Sequence, residues 1–136
     1  MHARNPRRIL LVDDHADVRR GLAIVLGGEG LGECVEASGP REALVIADEA
    51  TPDVALVDLS PGTEEALQLV ADLCARRIPV LVCSMHEEAT CVRRAIAAGA
   101  RGYITKREAP RELVRVVRDV LDGWTMISPR ASEGLH

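Results

Sequence analysis

Large aromatic rings are almost missing from this chain, whose 136 residues hold one Trp, one Tyr and no Phe. A core without rings has to be built from Leu, Val, Ile and Ala, so Tyr103 and Trp124 stand out by size alone. No apolar run approaches the roughly 20 residues of a membrane-spanning helix, and no signal-peptide pattern is present. A cytoplasmic protein with no membrane partner is the expectation. Metal-ligand spacing is missing among the softer donors. Cys34, Cys74, Cys83 and Cys91 form no CxxC pair and are expected to be reduced, small core residues. His2, His15, His86 and His136 show no ligand spacing, and His86-Glu87-Glu88-Ala89-Thr90 fails HExxH at its fifth position. A basic surplus is lacking as well: 17 Lys and Arg face 21 Asp and Glu, for a net charge of −4, and the arginine doublets are dispersed. That balance argues against a domain that itself binds nucleic acid. The glycines at 27, 28 and 30 close a helix instead of opening one after a strand, which reads as a C-cap and not a phosphate cradle.

What the chain does have is a set of four short apolar runs, each ending on residues that handle phosphoryl groups or metal ions. Ile9-Leu10-Leu11-Val12 leads into Asp13-Asp14, and Val54-Ala55-Leu56-Val57 into Asp58. Val80-Leu81-Val82-Cys83 leads into Ser84, and Gly102-Tyr103-Ile104 into Thr105-Lys106. Runs of this length between helical segments read as buried parallel strands. A fifth strand is expected near Glu33 to Ala37. Helical apolar stripes follow each strand: Val18, Leu22, Val25 and Leu26 over about 17–27, then about 40–49 with Ser38 as the expected cap. Leu67, Val70 and Leu73 mark the next, then Val92 and Ala95-Ile96, then Leu113, Val116-Val117 and Val120-Leu121 closed by Gly123. Strict alternation of five strands and five helices, in a length suited to one domain, predicts a doubly wound α/β fold with a parallel sheet. Residues 1–127 form the expected domain. From Ser128 no period continues, and 128–136 reads as a linker or tail.

Ligands of an open parallel sheet bind outside the carboxyl ends of its strands, so three carboxylates, a hydroxyl and a lysine should converge there. One Asp at a strand end is explained by helix capping. A second, with Asp58 arriving beside it, is not. Two carboxylates about 4 Å apart repel by roughly 4 kcal/mol in a partly screened site, so three must recruit a cation or take up a proton. Hard oxygen donors suit Mg²⁺. Asp58 can then act as a nucleophile that forms an aspartyl phosphate, with Lys106 as a second positive group and Ser84 donating to a phosphoryl oxygen.

Leu11-Val12-Asp13-Asp14-His15, Asp58, Cys83-Ser84-Met85-His86-Glu87 and the stretch Ala98 to Lys106 together resemble a response-regulator receiver domain (CheY-like). The resemblance is greatest to the receivers that precede LuxR-type DNA-binding domains, and it runs from about Arg8 to Pro129. It implies a flavodoxin-like fold with strand order 2-1-3-4-5, and phosphorylation of Asp58 by a sensor histidine kinase. Mg²⁺ would be held by Asp14, Asp58 and the Ser60 backbone carbonyl, with Asp13 assisting through water. Ser84 and Tyr103 would be the switch pair, and Lys106, with Ser84, the phosphate contact. A domain of this kind is not an enzyme; it assists only its own phosphotransfer and dephosphorylation. The output would be transcriptional, DNA being reached through a separate C-terminal domain. A homodimer contact would lie on the face of helix 4, strand 5 and helix 5, or on the last helix. The loop Asp58-Leu59-Ser60-Pro61-Gly62-Thr63-Glu64-Glu65-Ala66 departs from the family pattern. Its proline comes one residue early, and acidic residues stand where a glycine is usual. A non-switching interaction module with the same fold is therefore the alternative. A flavin-binding protein is disfavoured by the acidic first loop, and an Asp-nucleophile phosphatase by the lack of an acid two positions after Asp58.

Overall fold

A computed structural model of the chain describes residues 7–59 and 63–133. The elements alternate as β1 (Arg8–Val12), α1 (Ala16–Gly28), β2 (Glu33–Ala37), α2 (Pro40–Glu49), β3 (Val54–Val57) and α3 (Thr63–Ala75). They continue as β4 (Val80–Ser84), α4 (Ala89–Ala97), β5 (Gly102–Thr105), α5 (Pro110–Leu121), β6 (Met126–Ile127) and α6 (Pro129–Glu133). All pairings are parallel, in the order β2-β1-β3-β4-β5-β6.

Alternation along each strand sorts the core into two layers, as side chains of a strand must point to opposite faces. Leu10, Val12, Ala55, Val57, Val80, Val82 and Tyr103 pack with the buried residues of α2, α3 and α4. Ile9, Leu11, Val54, Leu56, Leu81, Cys83 and Ile104 pack on the other side with Leu26 of α1 and the apolar stripe of α5. That stripe is Leu113, Val114, Val116, Val117 and Val120, the residues that recur at helical spacing. None of the described helices is long and apolar enough to cross a membrane.

Three local expectations need correction. The sheet has six strands, not five: Met126-Ile127 pairs with Gly102-Tyr103 beyond the expected edge. Gly102 makes room for it, because a Cβ there would lie 2.7 Å from the Met126 carbonyl oxygen. Second, the packed unit does not stop at residue 127. Ser128 is buried and donates its N–H to the Tyr103 carbonyl at 2.8 Å, and Ala131 of α6 is wholly enclosed. A two-residue strand and a one-turn helix are too short to leave a period in the sequence. Third, Ser38 does not cap α2. Gly39 holds the cap position, while the Ser38 hydroxyl and N–H both donate to the Glu42 carboxylate, at 2.9 and 3.3 Å.

Candidate functional site

Strand β1 pairs with β2 on one side and β3 on the other, so chain direction through the sheet reverses between β1 and β3. Crossovers on the two sides of that point depart to opposite faces, leaving a crevice at the carboxyl ends of the strands. Asp13, Asp14 and Asp58 sit there, because Asp13 continues β1 and Asp58 continues β3. Their backbones are pinned: Asp13 N–H donates to the Ala37 carbonyl at 3.2 Å, and Asp58 N–H to the Val12 carbonyl at 3.0 Å. A cavity of about 220 Å³ opens above them, lined also by Ser38, Gly39, Pro40, Glu65, Ala66 and Leu69.

Lys106, just past β5, reaches the same point. Its Nζ lies 2.9 Å from Asp13 Oδ2 and 3.2 Å from Asp58 Oδ1, with both carboxylates almost enclosed. Burial alone would push the Asp13 carboxyl up. The His15 N–H, at 2.9 Å from Oδ1, and Lys106 outweigh it and hold the group below the ordinary carboxylate range. Burial likewise works to lower Lys106, but its bond to Asp13 and the charge of Asp58 hold it above the ordinary lysine value. Asp13 is thus an anion and Lys106 a cation at neutral pH. Arg19 adds a donor from outside, its Nη1 meeting the Asp13 carbonyl at 2.6 Å.

Ser84 and Tyr103 turn out to hold the same residue. The buried Ser84 Oγ accepts the His86 N–H at 3.0 Å, and the Tyr103 hydroxyl donates to the His86 carbonyl at 2.7 Å. Tyr103 is fully enclosed. Burial pushes its hydroxyl up to about 12, opposed by the neighbouring Ser84 hydroxyl. Its hydroxyl is thus satisfied by backbone inside the fold. Since Ser84 Oγ serves His86 as an acceptor, its own hydrogen is available to donate. Lys106 N–H donates to the Ser84 carbonyl at 2.7 Å, tying the lysine's strand end to the serine's.

The fold thus brings Asp13, Asp14, Asp58 and Lys106 together, and places Ser84 and Tyr103 one step away around His86. Ser60 lies outside the described residues. Two participants have no place in the sequence-based reading. His15 Nδ1 stands 2.8 Å from Asp14 Oδ1 and 3.3 Å from Asp13 Oδ1. Glu65 adds a carboxylate to the cavity wall. The signal for His15 was its place directly after the aspartate pair at a strand end; Glu65 gave none beyond the acidic loop.

One ligand atom each from Asp13, Asp14, His15 and Asp58 lie within 4.8 Å of one another. Three carboxylates around one lysine leave two negative charges in excess, which a divalent ion would match. The donors are mostly hard oxygens, the chemistry Mg²⁺ prefers. The residues present fit that ion.

A doubly wound sheet with an acidic pocket at its switch point, closed by a lysine from β5, defines the class. Residues 9–118 match the family described as the response regulator receiver domain, and the chain belongs to that family. It is 35% identical over 131 residues to the DNA-binding transcriptional activator DevR/DosR of Mycobacterium tuberculosis, covering 94% of this chain and 60% of that protein. It is 34% identical over 131 residues to the response regulator GacA of Pseudomonas aeruginosa, covering 94% of this chain and 61% of that one. The chain therefore spans about three-fifths of the length of these relatives. Among solved structures, a LuxR-family two-component response regulator from Aurantimonas sp. SI85-9A1 superposes with a TM-score of 0.89 at 30% identity, covering 96% of each chain.

Proposed function

We propose that Asp58 accepts a phosphoryl group from a sensor histidine kinase in a Mg²⁺-dependent reaction. An Asp58 carboxylate oxygen attacks phosphorus as the bond from phosphorus to the kinase imidazole breaks, giving an aspartyl phosphate. The observation that carries this reading is the link Asp13–Lys106–Asp58 at the sheet's switch point, at 2.9 and 3.2 Å. Lys106 orients Asp58 and supplies positive charge beside the arriving phosphoryl oxygens. Asp13, Asp14 and Asp58 would hold the ion, which neutralises phosphoryl charge when bound.

The phosphoryl group adds negative charge beside Ser84 and Lys106. Ser84 turning its hydroxyl toward it would release the His86 N–H, and the Tyr103 bond to the same residue would rearrange with it. The face of α4, β5 and α5 then changes shape, which supports the proposal of a homodimer contact there. The output is proposed to be transcriptional, through a DNA-binding domain joined to this one.

The test is intact mass after incubation with Mg²⁺ and a small acyl phosphate. A phosphate adduct is expected on the wild type and not on Asp58→Asn. No adduct from any acyl phosphate or sensor kinase overturns the proposal.

One observation favours a second reading, a receiver fold that no longer switches. Tyr103 is enclosed, and its hydroxyl is tied to the His86 carbonyl, an arrangement that leaves the ring no unmet polar group to drive a turn. A beryllofluoride phosphate mimic separates the two. A switching domain changes its tyrosine spectrum and sedimentation on adding it, whereas a locked one changes neither.

A further inference from the structure

We propose that His86, Glu88 and Cys91 form a second metal site, for a borderline-soft divalent ion such as Zn²⁺, joining the loop after β4 to the first turn of α4. It shares no ligand with the aspartate pocket and stands whether or not Asp58 is phosphorylated.

Nδ1 or Nε2 of His86, a Glu88 carboxylate oxygen and Cys91 Sγ lie within 4.8 Å of one another. His86 Nδ1 is 3.6 Å from Glu88 Oε2. Ligand atoms around a tetrahedral Zn²⁺ sit about 3.3–3.6 Å apart, so the first two are nearly at that spacing. Glu88 holds the N-cap position of α4 but makes no side-chain capping bond. Its carboxylate instead faces the imidazole.

The donor set selects the ion. Nitrogen, oxygen and sulfur ligands with one position left for water suit Zn²⁺, whereas Mg²⁺ and Ca²⁺ avoid sulfur. On binding, the Cys91 S–H proton passes to solvent and a metal–sulfur bond replaces it. The resulting thiolate and the Glu88 carboxylate match the two charges of the ion, and the imidazole stays neutral. His86 and Glu88 side chains are 44% and 66% exposed, so an ion has access. The backbone of His86 is held by Ser84 Oγ on one side and the Tyr103 hydroxyl on the other. An ion on its ring would fasten that segment to α4 and resist any rearrangement of those two bonds.

Cobalt is the probe. The reduced 136-residue chain is titrated with Co²⁺ in excess Mg²⁺, which competes for the oxygen-rich pocket. A thiolate-to-cobalt charge-transfer band is expected to saturate at one ion per chain and to bleach on adding Zn²⁺. Cys91→Ser should abolish the band, and His86→Gln should weaken Co²⁺ affinity tenfold or more, each with an unchanged far-ultraviolet circular dichroism spectrum. Asp58→Asn should keep the band, which separates failure of this site from failure of the phosphoacceptor. No band at stoichiometric Co²⁺, a band that survives Cys91→Ser, or unchanged affinity in His86→Gln overturns the proposal. Should Cys91→Ser not fold, the His86→Gln result decides alone, since that side chain lies on a half-exposed loop.

Discussion

Lys106→Met removes an ammonium that two enclosed carboxylates share. Its contacts to Asp13 and Asp58 are 2.9 and 3.2 Å, and the lysine side chain itself is only 17% exposed. At about 3 Å and an effective dielectric of about 20, each pair has a gross attraction of roughly 5 kcal/mol. Desolvation of the three groups takes back much of it, yet deleting one partner of a buried pair typically costs about 3–5 kcal/mol because the other charge stays buried. The cavity above Asp13 and Asp58 opens to solvent, so the lower end applies, a loss of about 3 kcal/mol. In a domain this size that lowers the melting temperature by roughly 10 °C.

The pH dependence makes the reasoning specific. Asp13 is held below its ordinary value of 3.8, so its contribution is present above that value and lost as pH falls through the folded value. Lys106 is held above its ordinary 10.5, so its contribution is present below that value and lost as pH rises through the folded one. Both are complete at neutrality. Without Lys106, burial of Asp13 loses much of its compensation and its carboxyl rises. Lowering the pH from about 7 to about 4.5 should then narrow the stability gap between variant and wild type. Urea unfolding across that range measures it, and Asp13→Asn/Lys106→Met should recover at least half of the loss. A cost under about 1 kcal/mol at neutral pH, or a gap that does not narrow on acidification, refutes the ion-pair account.

Tyr103→Phe leaves the His86 carbonyl without its donor and should cost about 1–3 kcal/mol in urea unfolding, with faster hydrogen exchange at His86. Because Tyr103 is the one tyrosine and its hydroxyl is pushed up to about 12, ultraviolet titration should show no tyrosinate at pH 10, and stability should fall between there and 12. Gly102→Ala would drive a Cβ to 2.7 Å from the Met126 carbonyl and 2.8 Å from Leu81 Cδ1, costing about 1–3 kcal/mol and freeing β6 amides to exchange. Mg²⁺ at about 100 times its dissociation constant should stabilise the wild type by about 2.7 kcal/mol, and Asp14→Asn should lose most of that gain.

The strands with site residues were legible because short apolar runs in a parallel sheet must be buried on both faces, and whatever follows them lands at the carboxyl edge. That places Asp13, Asp14, Asp58 and Lys106 on one edge, and the distances among them follow from the order β2-β1-β3-β4-β5. Tyr103 was legible as a ring but not as a buried one. Its hydroxyl is satisfied by a backbone carbonyl from another strand end, and no spacing encodes a backbone partner. The same limit applies to β6 and α6. What holds them is a missing Cβ at Gly102 and the Ser128 N–H on the Tyr103 carbonyl, contacts between segments more than 20 residues apart. His86, Glu88 and Cys91 fail any standard ligand pattern because half the spacing is loop and half is helix. A turn from extended loop into α4 at Glu88 folds the three onto one side, so the cluster depends on where the helix starts. Sequence periods report which face an element buries. They are silent on groups that meet where one element ends and the next begins, as Asp13, Asp58 and Lys106 do at the strand ends and His86 and Glu88 do before α4.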